Sequence, residues 1–177
     1  FGQIIIDDFV SECASACPGQ KTTLSLVDLA ELSATAPEDL KSFSTSTSEL
    51  IEEQNYQTVS TARTSAREFA TSSRIDQIDL IDFALKMDSD EGKELAETLK
   101  GAVKYNNTSS NMTNAYGLSI YFPYRSTGKV DNMLSTYDEI GMDDSYGQCI
   151  QKFASVAYYG QAAGAQTGST NPASVLF

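Results

Sequence analysis

The chain has 177 residues, 41% of them hydrophobic, enough for one compact domain, or a large piece of one, with a real core. Against 12 Lys and Arg stand 24 Asp and Glu, giving a net charge of −12 and a sequence pI near 4.2. That field repels phosphate backbones and anionic headgroups, which argues against nucleic acid and membrane surfaces and for a cationic partner, unless the charge serves solubility alone. No run approaches the roughly 18 apolar residues of a membrane-spanning helix, and Ile4-Ile5-Ile6 meets Asp7-Asp8 at once.

Residues 3–16 place Ile5 or Ile6, Phe9, Val10 and Cys13 at steps of three and four, which predicts an amphipathic helix packed on the body of the protein and ending at Pro18-Gly19. Phe1 is not an initiating methionine and no basic stretch precedes the apolar run, so the expectation is a fragment or a processed product. Thr22, Leu24 and Leu26 alternate with other residues as a short strand, and Asp28 reads as the N-cap of a turn of helix through Leu32. Pro37 with Glu38-Asp39 predicts a fresh helix start, carrying Leu40, Phe43, Thr47, Leu50 and Ile51 on its stripe. The next helix is expected from Tyr56, Val59, Ala62, Ala66 and Phe69.

Apolar residues cover more than one face of 75–87, which predicts a helix buried on most sides with Asp76, Asp79 and Asp82 recurring every third position. Asp88 and Glu91 read as a capping box for a helix with the stripe Leu95, Ala96, Leu99, Ala102 and Val103. A polar Asn/Ser/Thr loop follows at 106–113. Its N-x-S/T triplets at Asn106, Asn107 and Asn111 are read as loop composition. In 114–125, Leu118, Ile120 and Phe122 alternate with Ser119 and Tyr121 and Pro123 stops the run, the pattern of a half-buried central strand. A turn at Ser126-Thr127-Gly128 leads to a helix through Val130, Met133, Leu134, Tyr137 and Ile140, closed by Gly141. The last helix starts near Ser145 with Tyr146, Cys149, Ile150, Phe153, Val156, Ala157 and Gly160 inward. These elements amount to a mostly helical α+β domain, about six to eight helices around one or two short strands, over 1–163, with 164–177 a Gly/Ser/Thr/Asn/Pro-rich tail or linker.

The sequence contains no histidine, the side chain that moves protons near neutrality and ligates zinc. A Cys-His dyad, a Ser-His-Asp triad or a common zinc site therefore cannot be built from this chain alone. Cys13 and Cys17, one helical turn apart, lie beside Glu12, and Cys149 lies on an apolar helix face, so structural thiols outweigh nucleophiles. A Cys13–Cys17 disulfide would need the last helical turn to unwind, which Pro18 permits; free buried thiols are the default. Asp76, Asp79 and Asp82 could hold a hard cation, but they lack the glycine-bearing loop of a calcium site, so capping and solvated charge outweigh metal.

Gly117-Leu118-Ser119-Ile120-Tyr121-Phe122-Pro123, together with Thr23-Leu24-Ser25-Leu26-Val27-Asp28-Leu29 and Ile78-Asp79-Leu80-Ile81-Asp82-Phe83-Ala84, resembles the clostripain-like cysteine peptidases. The order and spacing match the part of that family lying C-terminal to its catalytic centre. The resemblance implies a histidine and a cysteine on a caspase-like α/β core, cleaving after Arg or Lys, all at positions preceding Phe1. It therefore assigns no catalytic, cofactor-binding or metal residue to this chain. Some members are calcium-dependent, but no motif here places calcium. What is implied is a noncatalytic C-terminal helical subdomain docked on the catalytic half, which is its partner and through which a protein or peptide substrate is reached. Secretion or a place on the bacterial cell surface is implied by the resemblance alone. The competing reading is an autonomous acidic helical interaction module that binds a basic partner without catalysis.

Overall fold

The computed structural model describes residues 1–52, 55–124 and 127–166, with the backbone alone for 127 and 158–166. Among these residues, seven α-helices carry two small antiparallel sheets, the mostly helical α+β arrangement that the patterning predicts. The helices are α1 (Gly2–Ala16), α2 (Leu29–Glu52), α3 (Tyr56–Ser65), α4 (Leu80–Met87), α5 (Asp90–Ala102), α6 (Val130–Glu139) and α7 (Asp144–Gln166). One sheet pairs β1 (Thr23–Val27) with β4 (Val103–Thr108). The other orders β2 (Glu68–Phe69), β3 (Gln77–Asp79) and β5 (Ser119–Tyr121) with β3 in the middle.

The core follows from aromatic side chains of five segments. Phe43 of α2 meets Phe83 of α4 edge-on, Phe83 meets Phe122, and Phe122 meets Phe153 of α7, whose other face stacks on Tyr56. Each of these phenylalanines is essentially inaccessible to water, and burying one contributes about 1.5–3 kcal/mol. Phe122 thus ties the end of β5 to two helices distant in sequence.

Several expected boundaries move, each for a physical reason. Asp28 does cap a helix, accepting the Glu31 N–H at 3.0 Å, but that helix runs unbroken through Pro37 to Glu52. An interior proline costs about 3 kcal/mol. Burial of Ala36 and Phe43, the packing of Leu32 and Leu40, and the Thr98 to Asp39 hydrogen bond from α5 hold the helix together across it. The helix expected through Phe69 ends at Ser65, and Phe69 enters β2. The helix expected over 75–87 is strand up to Asp79 and helix only from Leu80, because Asp76 sits in the left-handed region at φ 55° and β3 finds strands on both sides. A short apolar run fits either state, so pairing decides.

The capping residue of α5 is Ser89, which accepts the Gly92 N–H, and not Asp88, whose left-handed conformation ends α4. The first three residues of the polar loop at 106–113 are strand: Asn106 and Asn107 lie opposite Ser25 and Leu24, since β1 needs a partner. β5 is an edge strand, and its second face is covered: Tyr121 is as buried as Phe122. Gly141 closes α6 as expected, at φ 72°, with Gly141 N–H donating to Asp138 and Met142 N–H to Tyr137. On α7 the inward stripe is Tyr146, Cys149, Ile150, Phe153 and Ala154, and Val156 is exposed; Ile140, beyond the end of α6, is 66% exposed. Helix α7 continues through 164–166. Glu53, Gln54, Arg125, the turn at Ser126, the inward placing of Gly160 and the tail at 167–177 lie outside the described residues.

Candidate functional site

Two features could carry chemistry: a buried cluster of charges beneath β3 and an apolar groove along β5. The cluster is built from the three aspartates and Arg63, all inaccessible to solvent. Asp79 joins the three segments that carry the sequence resemblance. Its carboxylate accepts N–H donors from Asp82 at 2.9 Å, capping α4, and from Tyr116 and Gly117 at 2.7 and 3.2 Å. Leu80 N–H donates to Leu118 O, and Ser25 Oγ donates to Gly117 O, bringing in β1. Gly117 is required here: its φ is 111°, and a Cβ would lie 2.9 Å from that of Ser25. Burial raises the Asp79 pKa against the pull of its three N–H donors.

Arg63 spans the other side of β3. Its Nε donates to Phe122 O at 3.0 Å, its two terminal nitrogens lie 3.5 Å from Glu68 and Asp76, and its guanidinium sits 5.3 Å from the centre of the Tyr124 ring. Burial lowers its pKa, opposed by Glu68 and Asp76. Asp82 accepts from Arg67 N–H and Lys86 Nζ. Each aspartate thus faces different protein donors. No group of three or more carboxylates, thiols or imidazoles placed to hold a metal occurs among the described residues, and the triad does not fit a calcium ion. The carboxylates are buried and bonded, not solvated; only Asp79 is a helix cap.

The thiols divide by burial. All three are free: Cys149 is buried, Cys13 half-buried, and Cys17 exposed at the C-cap of α1, contrary to the uniform burial expected. Burial pushes the Cys149 thiol up to about 11, which suppresses the thiolate that attacks a carbonyl. Cys17 is solvent-exposed, yet no imidazole stands beside it, since the sequence has none.

The groove has a volume of about 610 Å³ and runs between α2, α6 and the outer edge of β5. Leu32, Leu40, Leu118, Met133 and Ile140 form its apolar walls, and Lys41 and Asp143, 3.4 Å apart, stand at one end. The Ser145 hydroxyl and N–H hold the exposed Asp143 carboxyl below the ordinary range.

Sequence patterning misses Arg63 and the groove. Arg63 lies next to Ala62 on the stripe of α3, and a charged residue four positions after Val59 is the one signal of its burial. The groove has no signal in sequence because its walls come from α2, α6 and a strand edge. No helix among the described residues is long and apolar enough to cross a membrane. The chain matches no known protein family, no curated protein and no solved structure.

Proposed function

We propose that this chain is the noncatalytic C-terminal portion of a clostripain-like cysteine endopeptidase, supporting a His-Cys half encoded before Phe1 that cleaves after Arg or Lys. The observation that carries the reading is the distribution of exposed apolar side chains. Of nine large ones among the described residues, six fall within 1–29: Phe1 (96% exposed), Ile4, Ile5, Phe9, Leu26 and Leu29 (72%). A self-sufficient domain rarely gathers so many exposed apolar side chains in one segment, whereas a subdomain docked on a larger body exposes them when alone. The motif segments meet at a hydrogen-bonded junction without a nucleophile, consistent with a supporting role. No cofactor is assigned to this chain, calcium is implied for some family members without a site here, and a secreted or bacterial cell-surface location rests on the resemblance alone. The second reading, an autonomous acidic module for a basic partner, draws on the net charge of −12.

Purified 1–177 is expected to turn over no Arg- or Lys-amide, to bind a hydrophobic dye, and to self-associate as its concentration rises. The Ile5→Ser/Phe9→Ser variant should lose dye binding and self-association while its melting temperature stays within about 4 °C of the parent, as surface substitutions cost about 0.5 kcal/mol. Turnover that iodoacetamide abolishes would overturn the proposal. A chain that stays monomeric and dye-silent would favour the autonomous module instead.

A further inference from the structure

The ladder between β3 and β5 fixes what the outer edge of β5 offers. Leu80 N–H donates to Leu118 O and Phe122 N–H to Asp76 O, and residues facing each other in an antiparallel pair alternate between bonded and non-bonded. The N–H and C=O groups of Ser119 and Tyr121 therefore point away from β3. At Tyr121 both are occupied: the N–H bonds to the Tyr137 phenol, and the Tyr146 phenol donates to the carbonyl at 2.7 Å. At Ser119, an exposed residue lining the groove, neither group has a partner among the described residues. A donor and an acceptor one residue wide, on a strand edge walled by apolar side chains, match the backbone of an extended peptide better than a helix, whose own backbone is satisfied. The charge at one end adds direction: Asp143, already paired with Lys41 at 3.4 Å, is followed by exposed Asp144, and exposed Asp138 lies on the adjoining surface, so three carboxylates there face one lysine.

We propose that this groove receives an extended peptide, which adds to the β5 edge by pairing its backbone with Ser119, rests an apolar side chain against Leu40, Met133 and Ile140, and turns a basic side chain toward Asp143 and Asp144. None of the residues lining the groove falls within 1–29, so the peptide site stands or falls independently of the peptidase assignment.

The test uses the whole chain labelled with ¹⁵N and a blocked hexapeptide, Thr-Val-Thr-Leu-Ser-Arg, followed by calorimetry and amide shifts. One-to-one binding is expected, with the largest shifts at Ser119 and Ile140. Affinity should fall at least tenfold when the terminal Arg is replaced by Glu, or when the peptide backbone is N-methylated on one edge. Ser119→Pro removes the outward N–H and leaves the inner ladder, as proline on the open side of an edge strand does; it should abolish binding. Should that variant fail to fold, Ile140→Ser alters only an exposed wall and should weaken binding at least fivefold with the melting curve unchanged. Equal affinity for the Arg and Glu peptides, tighter binding of a helical peptide, no binding at millimolar concentration, or filling of the groove by a second copy of the chain would each overturn the proposal.

Discussion

The junction around Asp79 and Arg63 and the layer formed by α1 on β1 solve opposite problems. At the junction, charged groups lie deep in the core and most of their polar atoms meet a donor or acceptor from another segment, while Arg63 Nη2 makes an ion pair with Asp76 at 3.5 Å and no hydrogen bond among the described residues. In the outer layer only Ile6 and Val10 of α1 are buried, and apolar side chains face solvent. The layer is held through Asp7, which accepts from Tyr105 Oη and Asn107 Nδ2, both at 2.7 Å. Buried polar groups thus fix how the segments meet around β3, alongside an apolar core, whereas the α1 layer leaves apolar side chains at the surface. A buried polar network costs little when complete and much when one member is lost, whereas an exposed apolar face costs the isolated fold little and directs association.

The largest effect is expected at Arg63. Arg63→Ala leaves Glu68 and Asp76 without their buried cation, and urea unfolding should show a loss of about 3–5 kcal/mol. A loss below about 1 kcal/mol would mean that the junction is not the stabilising centre described. Next comes Gly117→Ala, which places a Cβ against Ser25 and Val103 at positive φ. Overpacking of this kind costs about 1–3 kcal/mol, and the shared denaturation midpoint should fall without a change in slope. If only the pairing of β1 with β4 were lost, the two sheets would not be linked through this residue.

The smallest effect is one of pH. Burial raises the Asp79 pKa in the folded chain, so the native state holds that proton more tightly than the unfolded state does. The stability from this group is complete below the unfolded value near 3.9 and is lost as pH rises through the raised folded value. Exposed Asp143 shifts the other way. A carboxyl-carbon NMR titration should find the Asp79 midpoint above about 3.9 and that of Asp143 below it; the reverse order would show that the three N–H donors, and not burial, govern Asp79.

Much of the helical framework is legible from periodicity because each long helix has one face to bury. The stripes of α5 and of the first half of α7 read directly, as do the Asp28 cap and the Gly141 stop, since these depend on residues three or four apart. Short apolar runs behave differently. The segment 75–79 has too few residues to distinguish strand from helix, and Asn106 and Asn107 look like a loop until β1 lies opposite. Pro37 resembles a helix start until α5 is seen packed along α2 on both sides of it.

The sequence by itself determined the fold class, the acidic field and the lack of imidazole chemistry, because composition and local spacing carry those properties without reference to neighbours. Only the tertiary structure decided that three aspartates diverge to separate partners, that Arg63 is buried, that Ser119 faces an open strand edge, and that the apolar face of α1 is left half covered. The reason is physical: hydrogen bonding and burial at these positions depend on groups tens of residues away, brought together by packing that no local pattern encodes.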